Sequence, residues 1–326
     1  MAHVKMRLHY PPGGTRKANS VEAALFTRRD FLRASARVAA VSLVPLVCSC
    51  AGTEAARRAA WRPRLALSSV MFSDLPLPDF CQQAEALGFY GIDLWGPFGK
   101  CRHLEEAQQL GAEGFRRLLA RHKLEVGCYT TYRTTGHTEG FPAYAEFIGQ
   151  CGGGVVVRES EYGKFPAEGL EEGMRKFFAK LQPEIDLARK HRVRLAIENH
   201  GDALLSTLDS MRLFRTLNPA PNGVGIALAC YHLQEAGISV EEAVRICGDR
   251  LLFFYAWQKG NGFDQLPGHG PTDFKPWLQA LAAIGYRRWV TPFMHGEEPA
   301  EKMAQAVAKA RAYLDGLNPL QGRPLF

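Results

Sequence analysis

From Arg64 onward, short apolar runs alternate with longer stretches in which apolar residues recur every three or four positions. The runs are LALSSVMF (65–72), YGIDLW (90–95), LEVGCYTTY (124–132), GGVVVRES (153–160), RLAIENH (194–200), VGIALAC (224–230), LLFFYAW (251–257) and RWVTPFM (288–294). Each has the length of a strand, and their near-continuous apolarity predicts burial on both faces. Helical spacing is clear at Phe177/Leu181/Ile185/Leu187 and at Met303/Ala306/Val307/Ala310/Leu314. Repeated strand–helix alternation predicts a parallel sheet coated by helices. Eight such units in one body, residues 61–326, predict an α/β fold of the (β/α)8 barrel type, which typically takes ~250 residues. A doubly wound open sheet is the rival, but it would have fewer strands. No GxGxxG or GxxxxGK[ST] follows any of the runs, so nucleotide binding of the usual kinds is not expected.

The first 60 residues break this pattern. Charged residues precede an apolar run from Val38 to Val47, which ends in small residues, VCSCAG. That order predicts an export signal followed by a short linker. The run is too short to span a bilayer, which takes about 20 residues. Arg28-Arg29 ahead of Phe31-Leu32 resembles a twin-arginine motif. Val47-Cys48-Ser49-Cys50 resembles a lipobox, making Cys50 a candidate lipid anchor; an ordinary cleaved signal is the alternative. Periplasmic localisation follows as an expectation.

Charge sharpens the division. The formal charge is +7, yet residues 1–49 hold eight Lys/Arg against two acids, leaving +1 for everything after them. A near-neutral body argues against a nucleic-acid partner. Six cysteines lie in the body (Cys81, Cys101, Cys128, Cys151, Cys230 and Cys247), none in a CxxC pair, so no essential disulfide is expected.

In such a barrel chemistry belongs at the C-terminal strand ends. Those ends offer Asp93, Trp95, Tyr129, Thr131, Tyr132, Arg158, Glu159, Glu198, His200, His232, Tyr255, Trp257, Gln258 and His295. Glu198 and His200 are two apart and share a strand face. With His232 and His295 they could surround one divalent ion, since carboxylate and imidazole donors suit zinc, manganese or a related metal. Aromatic faces with a few polar groups suit a small carbohydrate. Tyr255, Trp257, Gln258, Asp93 and His269, the last in the Gly-rich loop 259–273, are the candidate substrate contacts. Glu198 and His232 are the candidate proton-transfer groups. Blander readings stand beside these. Asp202 would cap a helix over 204–214, and Arg158 would serve either an anionic substrate group or a structural ion pair.

ALGFYGIDLW, LAIENHGD, GIALACYHLQEAG, DRLLFFYAWQ, LPGHG and AIGYRRWV occur in that order. Together they resemble the xylose-isomerase-like TIM-barrel family of sugar (phosphate) isomerases and epimerases. The resemblance covers about residues 64 to 316. It implies a divalent metal (Mn, Zn, Mg or Co) held by a Glu, an Asp, a His and a Glu on strands five to eight, with carboxylates moving the proton. Only Glu198 matches this set. The other three positions fall on Ala229, Tyr255 and near Phe293. The expectation is a sugar isomerase or epimerase abstracting a proton next to a carbonyl, with a metal site rebuilt from Glu198, His200, His232 and His295. A lyase acting on an oxidised (keto) sugar and a non-catalytic sugar binder are the alternatives.

Overall fold

The computed structural model of the protein describes residues 61–132 and 141–317. The expected export signal, with Cys50, lies outside the described residues. Within them, eight parallel strands close into a barrel in chain order: β1 (Arg64–Ser68), β2 (Gly91–Trp95), β3 (Glu125–Thr130), β4 (Gly154–Glu159), β5 (Val193–Glu198), β6 (Val224–Ala229), β7 (Leu251–Ala256) and β8 (Trp289–Pro292). β8 pairs with β1 to complete the ring. The chain is thus a (β/α)8 barrel, and every expected strand is present.

The intervening described helices are α1 (Leu77–Ala86), α2 (His103–Arg121), α3 (Phe141–Gln150), α4 (Leu170–Lys190), α5 (Leu208–Leu217), α6 (Cys230–Glu235), α7 (Val240–Cys247), α8 (Lys275–Ala283) and α9 (Ala300–Gly316). Outward-facing strand residues such as Leu67, Leu94, Val156, Ile197, Leu228 and Phe254 are buried against these helices. Arg311 on α9 donates to the Leu87 carbonyl at the end of α1 (2.8 Å), so the last helix is tied to the first.

Inward-facing residues form a second cluster, with an uneven division of volume. β1, β5 and β6 contribute Ala66, Ala196, Ala227 and Ala229, while β2, β7 and β8 contribute Trp95, Phe253, Tyr255, Trp289 and Phe293. The small residues make room inside the barrel for the large ones, as close packing requires. At the floor, the Trp289 ring lies where a Cβ on Gly91 would come within 2.2 Å, and one on Gly127 within 2.7 Å. Only glycine fits at either position.

Two local expectations change. The first strand stops at Ser68 and Ser69–Phe72 winds into a 3-10 turn. Both serines bond across to β2: Ser68 Oγ donates to Asp93 (2.8 Å), and Ser69 Oγ accepts from the Trp95 amide (2.9 Å). Asp202 does not cap a helix. Residues 203 and 204 instead attach to the loop after β4, through a Tyr162–Ala203 bridge and the Leu204 amide donating to Glu161 O (2.8 Å). This delays α5 to Leu208, and Thr207 caps it by accepting from the Ser210 amide at 3.1 Å. The six body cysteines are free.

Candidate active site

The alternation of β3 places Cys128 and Thr130 inside the barrel and carries Tyr132 to its mouth on the same face. Beneath the mouth lies Asp93 of β2, fully buried. It accepts from Ser68 Oγ (2.8 Å), Thr130 Oγ1 (2.7 Å) and Trp95 Nε1 (2.6 Å). Burial pushes its pKa up to about 6, while the three donors pull the other way. Thr130 also meets the Tyr255 hydroxyl at 3.0 Å. Asp93 therefore ties β1, β2 and β3 together under the site.

Glu198 ends β5 and is only 7% exposed. Tyr132 Oη donates to its Oε2 at 2.5 Å. Glu159 stands beside it in register on β4 and is also buried. Burial raises the Glu198 pKa to about 8; the Tyr132 bond opposes this, and the charges of Asp93 and Glu159 add to it. Glu198 is therefore mostly protonated at neutral pH and ready to exchange a proton close to it.

Across the mouth sit the imidazoles. The His200 and His232 rings are 3.9 Å apart between centroids. Burial lowers the pKa of both, that of His232 to about 3, with His200 and His295 adding to the effect. His295 is more exposed, but Phe98, Phe293 and Trp257 crowd its ring. That crowding, reinforced by His200, holds it below the ordinary imidazole range. Aromatic plates complete the wall. Trp257 stacks on Tyr231 (4.4 Å) and meets His232 edge-on (5.2 Å); Trp95 stacks on Phe293 (5.6 Å) and meets Tyr132 edge-on (5.4 Å).

The candidate residues thus separate into groups. The structure brings His200, His232, His295 and Trp257 together, and puts Glu198 with Tyr132 above Asp93. No hydrogen bond joins Glu198 to the imidazoles. Gln258 is fully buried and spent on the loop 259–273: its Nε2 donates to Leu266 O and its Oε1 accepts from the Thr272 amide, both at 2.8 Å. His269 is engaged with the Ala306 carbonyl of α9 at 2.9 Å. Arg158 faces outward, where it bonds Thr131 (3.1 Å) and pairs with Glu184 of α4 (3.3 Å). The ion-pair reading of Arg158 is the one realised.

Sequence reasoning gave no role to Tyr132 or Gln265. The face shared by Thr130 and Tyr132 was a usable signal for the first. Gln265 accepts from Trp257 Nε1 (2.8 Å) and donates to His295 O (2.9 Å), clamping the loop to the end of β8. Nothing local in the sequence marks that role.

A resident metal does not fit these residues. Ala229, Tyr255 and Phe293 lie inside the barrel and supply no typical ligand. Among the described residues, no three His, Cys, Asp or Glu side chains are placed to share an ion. Among the described residues, Glu198, His200, His232 and His295 are not gathered around one point. Glu198 is turned to Tyr132, and the imidazoles pack against rings.

The sequence matches the family described as xylose isomerase-like TIM barrel over residues 81–314. Among solved structures, the chain is similar to the 3-keto-D-glucoside 4-epimerase YcjR from E. coli, with a TM-score of 0.61 and 16% identity, covering 77% of this chain and 100% of that one. It is similar to the IolI protein with a bound zinc atom (TM-score 0.61, 18% identity, 77% of this chain and 97% of that one). It is similar, too, to a probable 3-DHS dehydratase, AsbF, from Bacillus anthracis (TM-score 0.60, 16% identity, 76% and 98%). At such identities these neighbours speak for the fold alone. No curated protein matches the chain in sequence.

Proposed function

The chain belongs to the xylose isomerase-like TIM barrel family, and from that premise we propose an enzyme that moves a proton next to the carbonyl of a small carbohydrate, using Glu198. The observation that carries this reading is a buried carboxyl at the barrel mouth whose pKa is raised to about 8 and whose hydrogen-bond partner is Tyr132. A carboxyl poised near neutrality is a competent base when ionised and a competent acid once protonated.

In the proposed step the Glu198 carboxylate takes the proton on the carbon beside the carbonyl. The C–H electron pair becomes the C=C bond of an enediolate, and the carbonyl π pair moves onto oxygen. An N–H of a neutral imidazole, His200 or His232, stabilises that oxygen. Glutamate base with neutral imidazole electrophile is a known division of labour for enolisation. Return of the proton to the neighbouring carbon, with the hydroxyl proton passing from the second oxygen to the first, gives isomerisation; delivery of a proton to the same carbon from the other face gives epimerisation. Tyr231, half-buried and stacked on the buried Trp257, offers an aromatic surface of the kind a sugar ring takes. Arg158 is turned outward to Glu184 and is not placed to hold a phosphate at the mouth.

The test is incubation of candidate keto and aldo sugars with the protein in heavy water. Wild-type protein exchanges a carbon-bound proton and Glu198→Gln does not; absence of exchange with every sugar that binds refutes the proposal. Replacement of three family ligand positions by Ala229, Tyr255 and Phe293 favours a second reading, a non-catalytic sugar binder, which would bind without exchange. A lyase would begin with the same proton abstraction and then release a cleaved or unsaturated product. Export remains part of the proposal. Membrane fractionation with Cys50→Ala tests it, since a lipid-anchored protein would move to the soluble fraction.

A further inference from the structure

The opposite, N-terminal end of the barrel holds an open cavity of about 490 Å³ to which nothing above gives a purpose. Its floor is Trp289, with the Arg64 guanidinium 4.0 Å from the ring centroid. Its wall includes Arg194, Arg287, Arg288 and one carboxylate, Asp249. Two of these charges are already matched. Arg64 pairs with Glu125 at 3.0 Å, and Asp249 pairs with Arg215 and Arg250, each at 3.3 Å. The side chains of Arg194 and Arg288 make no hydrogen bond or ion pair with any described residue.

Their placement follows from the strands. Arg194 has the parity of Ala196 and Glu198, so it points inward, about 13 Å below Glu198 along β5. Arg288 immediately precedes β8 and lines the same cavity as Arg194 and Trp289. Both guanidiniums are half-buried. Their pKa values are lowered by burial, and that of Arg288 further by the charge of Arg194, so the two feel one another. Like charges held together and partly stripped of water are unfavourable unless an anion joins them. A guanidinium fork matches phosphoryl oxygens in pairs, and two forks match a dianion.

We propose that the N-terminal end of the barrel binds a phosphoryl dianion between Arg194 and Arg288, over the Trp289 floor. The anion is either a soluble phosphate or the headgroup of an anionic phospholipid, and the chemistry of recognition is shared. This site is separate from the mouth and does not depend on the proposed reaction.

Calorimetric titration of the full chain with inorganic phosphate, against chloride at equal ionic strength, tests it. A parallel arm measures co-sedimentation with phosphatidic acid/phosphatidylcholine vesicles. Wild-type, Arg194→Gln, Arg288→Gln and the charge-retaining Arg288→Lys proteins are compared, each checked for a wild-type melting curve. A soluble ligand predicts saturable phosphate binding, weakened roughly tenfold or more in each Gln variant and partly restored in the Lys variant. A headgroup predicts vesicle binding with the same dependence, competed by inorganic phosphate. Failure of wild-type protein to bind either probe, or binding that survives both Gln substitutions, overturns the proposal.

Discussion

Replacing Glu198 by Gln keeps the shape of the side chain and an oxygen for Tyr132 to bond, but removes the titration. The carboxyl moves from an ordinary 4.5 to about 8 on folding. The folded chain therefore holds a proton that the unfolded chain releases across that window. Its contribution is fully favourable below pH 4.5 and is lost progressively as pH rises towards 8. The slope is about 1.4 kcal/mol per pH unit. Relative to pH 4, ionisation of the unfolded chain costs the wild-type fold about 0.7 kcal/mol at pH 5 and about 3.2 kcal/mol at pH 7. Glu198→Gln escapes this cost, so its advantage over wild type grows by about 2.5 kcal/mol between pH 5 and pH 7. Urea unfolding at each pH reads the difference, and any pH-independent change in packing enters only as an offset. The comparison must be between variant and wild type, because His232 titrates with the opposite slope over part of the range. Parallel stability curves for the two proteins would refute a raised Glu198 pKa and, with it, the proton-transfer role.

The other expectations concern the rest of the mouth. His232, held down to about 3, is neutral when folded but protonates near its ordinary 6.5 when unfolded. Its contribution is present above pH 6.5 and lost on acidification towards 3, so His232→Gln flattens the acid limb of stability by up to about 1.4 kcal/mol per pH unit; an unchanged acid limb contradicts this. Tyr132→Phe removes the bond that steadies the Glu198 anion, so the alkaline-going limb of the exchange rate should move up by about one pH unit or more. A limb that stays in place means the hydroxyl does not act on Glu198. Dialysis against a chelator leaves exchange intact, because no three described donors share an ion. Activity lost on chelation and restored by zinc or manganese would show that a metal binds despite that arrangement.

The barrel was legible in the sequence because its strands are buried on both faces, which leaves runs such as GVVV and VGIALA with no polar interruption. The height of Glu198 was legible for the same reason: it is the first polar residue after LAI on β5. Orientation was less so. Arg158 sits between Val157 and Glu159, both inward, and the period of two already turns it outward. Reading strand ends as a set, without parity, admitted it as an anion contact. The ends of loops were not legible at all. Residues 203–205 are drawn to the loop after β4, so α5 starts four residues later than its apolar spacing suggests, and Asp202 loses its cap. Gln258 and Gln265 look alike in sequence, yet one is absorbed by its own loop and the other fixes His295.

Burial acts in one direction on both kinds of titratable group at the mouth, and that unifies the site. It raises Glu198 and lowers His200, His232 and His295, so near pH 7 the carboxyl is largely protonated and the imidazoles are uncharged. The positions that the family resemblance would give to metal ligands hold Ala229, Tyr255 and Phe293 in this chain, and none of these puts a charge beside the carboxyl. Filling those positions with apolar and aromatic side chains removes the compensating charge, and the carboxyl that remains answers by keeping its proton. Placing a carboxylate there, as in Ala229→Asp, should raise the Glu198 pKa further unless a cation enters with it.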